Sequence, residues 1–152
     1  LHECYPIMNR IFNTNFNHRG LDIALLILRF GIAALMLTHG LPKLNTLLEG
    51  GDIQFADPIG IGAKASLALA VFAEVCCSFL LILGLATRLA VLPLMVTMLV
   101  ALLAVHADDP IGKQEPALHY LLVYLVLLIT GAGAISLDKI ISRKGTRSRR
   151  GY

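Results

Sequence analysis

An all-α integral membrane fold, a bundle of four spanning helices with both termini cytoplasmic, is what this sequence predicts, and three observations predict it. The chain is 57% hydrophobic and only 15% charged, where soluble domains run at roughly 45–50% apolar and 25% charged. Four apolar runs of about 17–22 residues, Ile23–Leu41, Ala65–Ala86, Leu89–Val105 and Ala117–Ile135, each approach the ~20 residues that cross ~30 Å of hydrocarbon. The connectors are short and polar, and the runs do not alternate, so helices with internally bonded backbones fit where barrel strands do not.

The charges set the orientation. The termini and the turn "GLATRLA" hold Arg10, Arg19, Arg88, Lys139, Arg143, Lys144, Arg147, Arg149 and Arg150, while the other two connectors hold only Lys43, Lys64 and Lys113. Basic residues near span ends stay on the cytoplasmic side. The opposite connectors carry Glu49, Asp52, Asp57, Asp108, Asp109 and Glu115, an acidity read as solvation. The net charge of +3 is thus a topology signal and not a nucleic-acid one. Residues 1–20 form a polar segment, 21–138 the membrane domain and 139–152 a basic cytoplasmic tail. That tail either contacts anionic headgroups or serves only as a positive-inside anchor. The polar start has no continuous apolar core ahead of the first span, so no cleavable signal is expected, and Met8 is a plausible initiator.

Along the first span, "LRFGIAALMLTHGLPKL" places Arg29 on a stripe with Ala33, Met36 and Gly40. The second span carries Glu74 on a small-residue stripe of Ser66, Ala70, Ala73, Cys77 and Gly84, the kind that lets helix backbones approach. An unpaired charge at mid-membrane costs about 2.5–3.5 kcal/mol on insertion scales. Arg29 and Glu74 are therefore expected to form a buried ion pair that fixes the first two spans or lines a polar cleft between them. The alternative is an Arg29 that snorkels to the headgroups and a protonated Glu74 bonded to Ser78 or a carbonyl. Cys76 and Cys77 lie mid-span, where thiols act as small apolar fillers. Pro93 reads as a helix-start feature, Thr87 as the N-cap of the third helix and Gly84 as the end of the second.

His39, His106 and His119 should share the outer boundary, with Lys43, Tyr120 and Tyr124 close by. Imidazoles there are able to ligate a metal with Asp108, Asp109 or Glu115, or to hydrogen-bond a quinone carbonyl. No spacing matches a metal signature, so no metal is expected, and the tyrosines otherwise read as an aromatic belt.

Five stretches in order, "ILRFGIAALMLTHGLPKL", "GIGAKASLALAVFAEVCCSFLLILGLATRLA", "LMVTMLVALLAVH", "EPALHYLLVYLVLLI" and "GAGAISLDKI", resemble the DoxX family of small four-helix bacterial membrane proteins over roughly residues 22–140. Arg29, His39, Gly40, Lys43, Glu74, Thr87, Arg88, Ser136 and Asp138 occupy the family's polar positions. Many relatives carry an aromatic before the His-Gly pair where this chain has Thr38. The resemblance implies a multi-pass inner-membrane protein linked to quinone oxidoreductase, sulfur-oxidising or detoxification systems, an accessory subunit rather than a self-sufficient enzyme. Nothing in the chain can hold a flavin, haem or iron–sulfur cluster, so electron transfer would need a bound quinone or a partner subunit. The partners expected are the bilayer, a redox-enzyme subunit or a second copy of the chain. The competing readings are a scaffold that assembles a partner complex through the small-residue face of the second span, and a small transporter.

Overall fold

The computed structural model describes residues 17–148, with side chains to residue 143. The expectations for Met8, Arg10, Arg149 and Arg150 fall outside the described residues, and so do the side chains of Lys144 and Arg147. Among the described residues every regular element is helical. The first, α1, runs His18–Glu49 over 32 residues, about 48 Å, so the apolar run Ile23–Leu41 is only its middle. Asn17 caps it by accepting from the Gly20 N–H at 3.1 Å, and it ends at Gly50, where φ is +69°. Pro42 sits inside it and cannot donate to the Thr38 carbonyl.

Helix α2 covers Ala63–Leu83, with a π-helical segment at Phe72–Cys77. Gly84 closes it in the left-handed conformation, φ +65°, as expected for a C-terminal glycine. Helix α3 covers Thr87–Val105 and finishes in a second π segment, Ala101–Val105. Helix α4 is Ile111–Thr130, shifted from the expected Ala117–Ile135. Gly131 and Gly133 both take positive φ and halt the helix, leaving residues 131–136 as a non-helical connector to α5, Leu137–Ser148. The boundary drawn between domain and tail therefore lies inside α5, and the one drawn at residue 20 lies inside α1.

Three helices, α1, α2 and α3, are long and apolar enough to cross a membrane. Helix α4 has the length, but opens with the polar sequence "IGKQE". The outward surface fits a lipid solvent: Ile27, Phe30, Leu35, Phe72, Leu89, Val96 and Ile129 are all more than half exposed, a continuous apolar exposure that monomeric soluble proteins avoid.

Inside, α1 packs antiparallel on α2, α3 packs on α4, and the π segment of α2 packs on α3. Both stripes read from the sequence face inward: Arg29, Ala33, Met36 and Gly40 are buried on α1, and Ser66, Ala70, Ala73, Glu74 and Cys77 on α2. The register is set by two glycines. A Cβ on Gly40 would lie 3.0 Å from the Glu74 Cβ and 2.9 Å from Val75 Cγ2, and a Cβ on Gly84 would overlap the Arg29 guanidinium. Gly40 thus lies level with Glu74, and Gly84 level with Arg29. The core between the four helices is closed by Met36, Leu81, Val91, Leu94, Tyr124 and Leu127.

Candidate functional site

The bundle holds two buried polar centres, one at each end. The first surrounds Arg29 at the end that carries the tight turn 84–86, here the turn end. Arg29 is 1% exposed, and its Nη1 donates to the Ala132 carbonyl at 2.7 Å while Nη2 donates to the Ile135 carbonyl at 3.0 Å. Both acceptors belong to the connector beyond α4, where no helical N–H is available, so the guanidinium supplies donors that the buried backbone needs. Asp138 supplies an opposite charge close enough to act on it.

The rest of this centre is a clasp around the turn. Asp138 accepts from the Ala86 N–H at 2.6 Å and the Thr87 N–H at 3.0 Å, and its own N–H donates to the Gly84 carbonyl at 2.9 Å. Ala86, at φ +49°, occupies the cap position of α3, and Thr87 is its first helical residue. Thr87 is thus not the cap expected from the sequence, and a carboxylate near the far end of the chain holds the Ala86 and Thr87 amides at the start of α3 with charge-assisted bonds. Arg88 Nη2 donates to the Ile129 carbonyl at 3.1 Å, and Asp22 accepts from the Ala134 N–H at 2.7 Å.

The expected Arg29–Glu74 ion pair does not form, and the register explains why. Arg29 is level with Gly84 and Glu74 with Gly40, and the stretch of α1 from Arg29 to Gly40 is about 16 Å long. Helical spacing puts both charges on inward faces, but it leaves open the register of α1 on α2 that separates them. Glu74 finds its partner one turn past Gly40 instead: Lys43 Nζ lies 2.5 Å from Glu74 Oε1. Glu74 is 1% exposed, and its Oε2 has no partner.

This second centre lines a cavity of about 440 Å³ at the other end, the loop end. Its walls are mostly apolar, with Met36, Leu69, Val96 and Ala101 among them, and its polar side chains are His39, Lys43, Ser66, Glu74, Thr97, His106, Lys113 and Tyr120. His39 meets Tyr120 edge-on with ring centroids 6.0 Å apart, and Tyr120 stacks on Tyr124, also at 6.0 Å. Tyr124 is fully buried beneath, and its hydroxyl has no partner. Both π segments border the cavity, one carrying Glu74 and the other Ala101 and Val105. A π turn puts an extra residue into the helix and occurs most often at functional sites.

The residues singled out from the sequence therefore divide. His39, Lys43, Glu74, His106 and Tyr120 converge on the cavity, and Tyr124 supports it from below. His119 does not join them: its side chain is 69% exposed and faces Glu115 at 3.9 Å on the outer side of α4. Being adjacent to Tyr120, it points about 100° away around the helix. His106 Nδ1 and Lys113 Nζ both reach the Asp109 carboxylate, at 2.7 and 3.3 Å, and they hold it below the usual carboxylate range. The small-residue face of α2, on which the scaffold reading relied, is consumed within the chain.

The 50–62 connector contributes more than the sequence suggested. Phe55 lies 5.8 Å from Lys43 Nζ, over which it forms a lid, and Ile53 and Phe55 pack on the cluster of Leu67, Val71 and Val75. Asp57, read as a solvating charge, is the clasp of this connector. It accepts from the Ile61 N–H at 3.0 Å, the Gly62 N–H at 2.7 Å and the Ser66 hydroxyl at 2.8 Å, and these bonds lower its pKa, the Ser66 bond most of all. An Asp-Pro turn five residues ahead of a helix was the signal for this role.

Comparison with known proteins adds the following. The DoxX family model matches residues 24–107, which covers α1 to α3. A protein of Haemophilus influenzae described as uncharacterized is 35% identical over 132 residues, 82% of this chain and 87% of its own length. A second uncharacterized protein of the same organism is 34% identical over 130 residues, 79% of this chain and 92% of its own. No solved structure matches the chain.

Proposed function

Because the chain belongs to the DoxX family of membrane proteins, we propose that it is a four-span protein of the bacterial inner membrane whose loop-end cavity binds a quinone-class ligand, as an accessory subunit of a redox or detoxification system. One observation carries this reading. In a mostly apolar cavity of about 440 Å³, Glu74 is buried with one oxygen held by Lys43 and the other without a partner. Small-molecule sites combine this volume and apolar lining with a few fixed polar groups. A quinone ring has the complementary form: an apolar body with oxygens at its edge. Its carbonyl accepts from Lys43 Nζ, its reduced hydroxyl donates to Glu74 Oε2, and Tyr120 and His39 flank the ring.

In this reading α4 is the fourth span, and the turn end faces the cytoplasm. Arg19, Arg88, Lys139 and Arg143 lie at that end, whereas the connectors at the loop end carry Glu49, Asp52, Asp57, Asp108, Asp109 and Glu115. The cavity then opens in the outer half of the bilayer. In this reading the electrons come from a partner enzyme.

The test is titration of the purified chain in lipid nanodiscs with a short-chain quinone and its quinol. Saturable binding is expected, and Glu74→Gln should weaken quinol binding about tenfold to a hundredfold, the worth of one hydrogen bond to a charged acceptor. No saturable binding of either form overturns the reading.

A further inference from the structure

We propose that α5 is an in-plane membrane anchor that seats on the anionic phospholipid surface of the leaflet at the turn end. Leu137, Ile140 and Ile141 follow helical three- and four-residue spacing and share one face. They are 37, 51 and 57% exposed, and α5 has no extensive packing against any of the long helices. Lys139 and Arg143 lie on the opposite face, both exposed, and the sequence continues with Lys144, Arg147, Arg149 and Arg150. A basic helix with one apolar stripe lies in the interface, its stripe in the acyl boundary and its charges at the headgroups.

Two features identify the occupant of the uncovered face as lipid. The first is position. Asp138, in the first turn of α5, is bonded to Gly84, Ala86 and Thr87, where α2 ends and α3 begins, so α5 departs at a fixed point beside two span ends. Arg29 grips the connector immediately before it at Ala132 and Ile135. Leu83, Leu89, Ile129 and Ile135 at this end are exposed as well, so α5 leaves the bundle where its own surface is apolar and lipid-facing. The second is charge. Arg19, Arg88, Lys139 and Arg143 gather at this end, complementary to anionic headgroups and repulsive to a second copy of the same surface.

The chain contains no tryptophan, which supplies the test. Ile140→Trp and, as an aqueous reference at the loop end, Lys64→Trp are each reconstituted as full chains in vesicles of phosphatidylcholine, with and without phosphatidylglycerol. Both sites are exposed, so folding is preserved. Expected for Ile140→Trp is quenching by lipid brominated near the top of its acyl chains at least twofold stronger than for Lys64→Trp. That quenching should grow with phosphatidylglycerol, and the growth should shrink when Lys139→Gln and Arg143→Gln are added. Aqueous iodide quenching equal to that of Lys64→Trp places α5 in water and overturns the proposal. Protection from both quenchers in every lipid, meaning a protein covers the stripe, overturns it, as does bromolipid quenching indifferent to phosphatidylglycerol.

Discussion

Arg29 and Glu74 are each 1% exposed, yet one end of the bundle uses its charge to close a structure and the other keeps its charge in reserve. At the turn end, Arg29, Asp138, Arg88 and Asp22 all spend their hydrogen bonds on backbone groups of the 84–87 turn and the 129–135 segment. At the loop end, Glu74 meets a side chain, Lys43, which is 32% exposed, and its second oxygen stays without a partner in a residue that lines a cavity. Arg29, bonded to two backbone carbonyls, keeps only its buried Nε without a partner, and it does not line the cavity. A charge bonded to one flexible ammonium retains an acceptor and a neighbour able to move.

If that division is sound, the largest effect falls at the turn end. Arg29→Met orphans the buried Ala132 carbonyl and the part-buried Ile135 carbonyl, at about 1–3 kcal/mol for the first and less for the second, so a loss of roughly 2–4 kcal/mol is expected. Thermal unfolding of the purified protein in detergent reads it, and an unchanged midpoint would remove Arg29 from its structural role. Smaller is Asp138→Ala, which strips the cap from α3 and should cost about 1–3 kcal/mol by the same measurement.

Glu74→Gln, by contrast, should leave stability within about 1 kcal/mol of wild type, because it removes a buried charge while Lys43 retains access to solvent. A collapse in stability with this substitution would make the second centre structural too, and erase the distinction between the two ends. The smallest effect concerns the connector over the cavity. The folded-state pKa of Asp57 is depressed by its bonds to Ser66, Gly62, Ile61 and Gly60. Its contribution is therefore present above the ordinary carboxylate value of ~3.9 and is lost as pH falls through the depressed value. Amide exchange at Ile61 and Gly62 should quicken only in that acid range in wild type, and at all pH values in Asp57→Ala.

The stripes on α1 and α2 were legible because helical spacing places residues on faces whatever the partner, and small residues at that spacing announce close packing. The convergence of His39, Lys43, His106 and Tyr120 followed from a shared depth at helix ends. The partner of Glu74 was not legible. The apolar run ends at Leu41, while α1 continues through Pro42 to Glu49 and so carries Lys43 to within reach of Glu74. The roles of Asp57 and Asp138 were equally hidden, since each acts on backbone amides that only the folded turns bring to it.

Apolar content, run length and the placement of basic residues determined by themselves that this chain is a helical membrane protein, because transfer from water to hydrocarbon sums over residues without regard to their neighbours. Which buried charge meets which partner was decided only by the tertiary register of α1 on α2. Coulombic and hydrogen-bond pairing acts over a few ångströms, and two glycines, Gly40 and Gly84, fix where along the helices those ångströms fall.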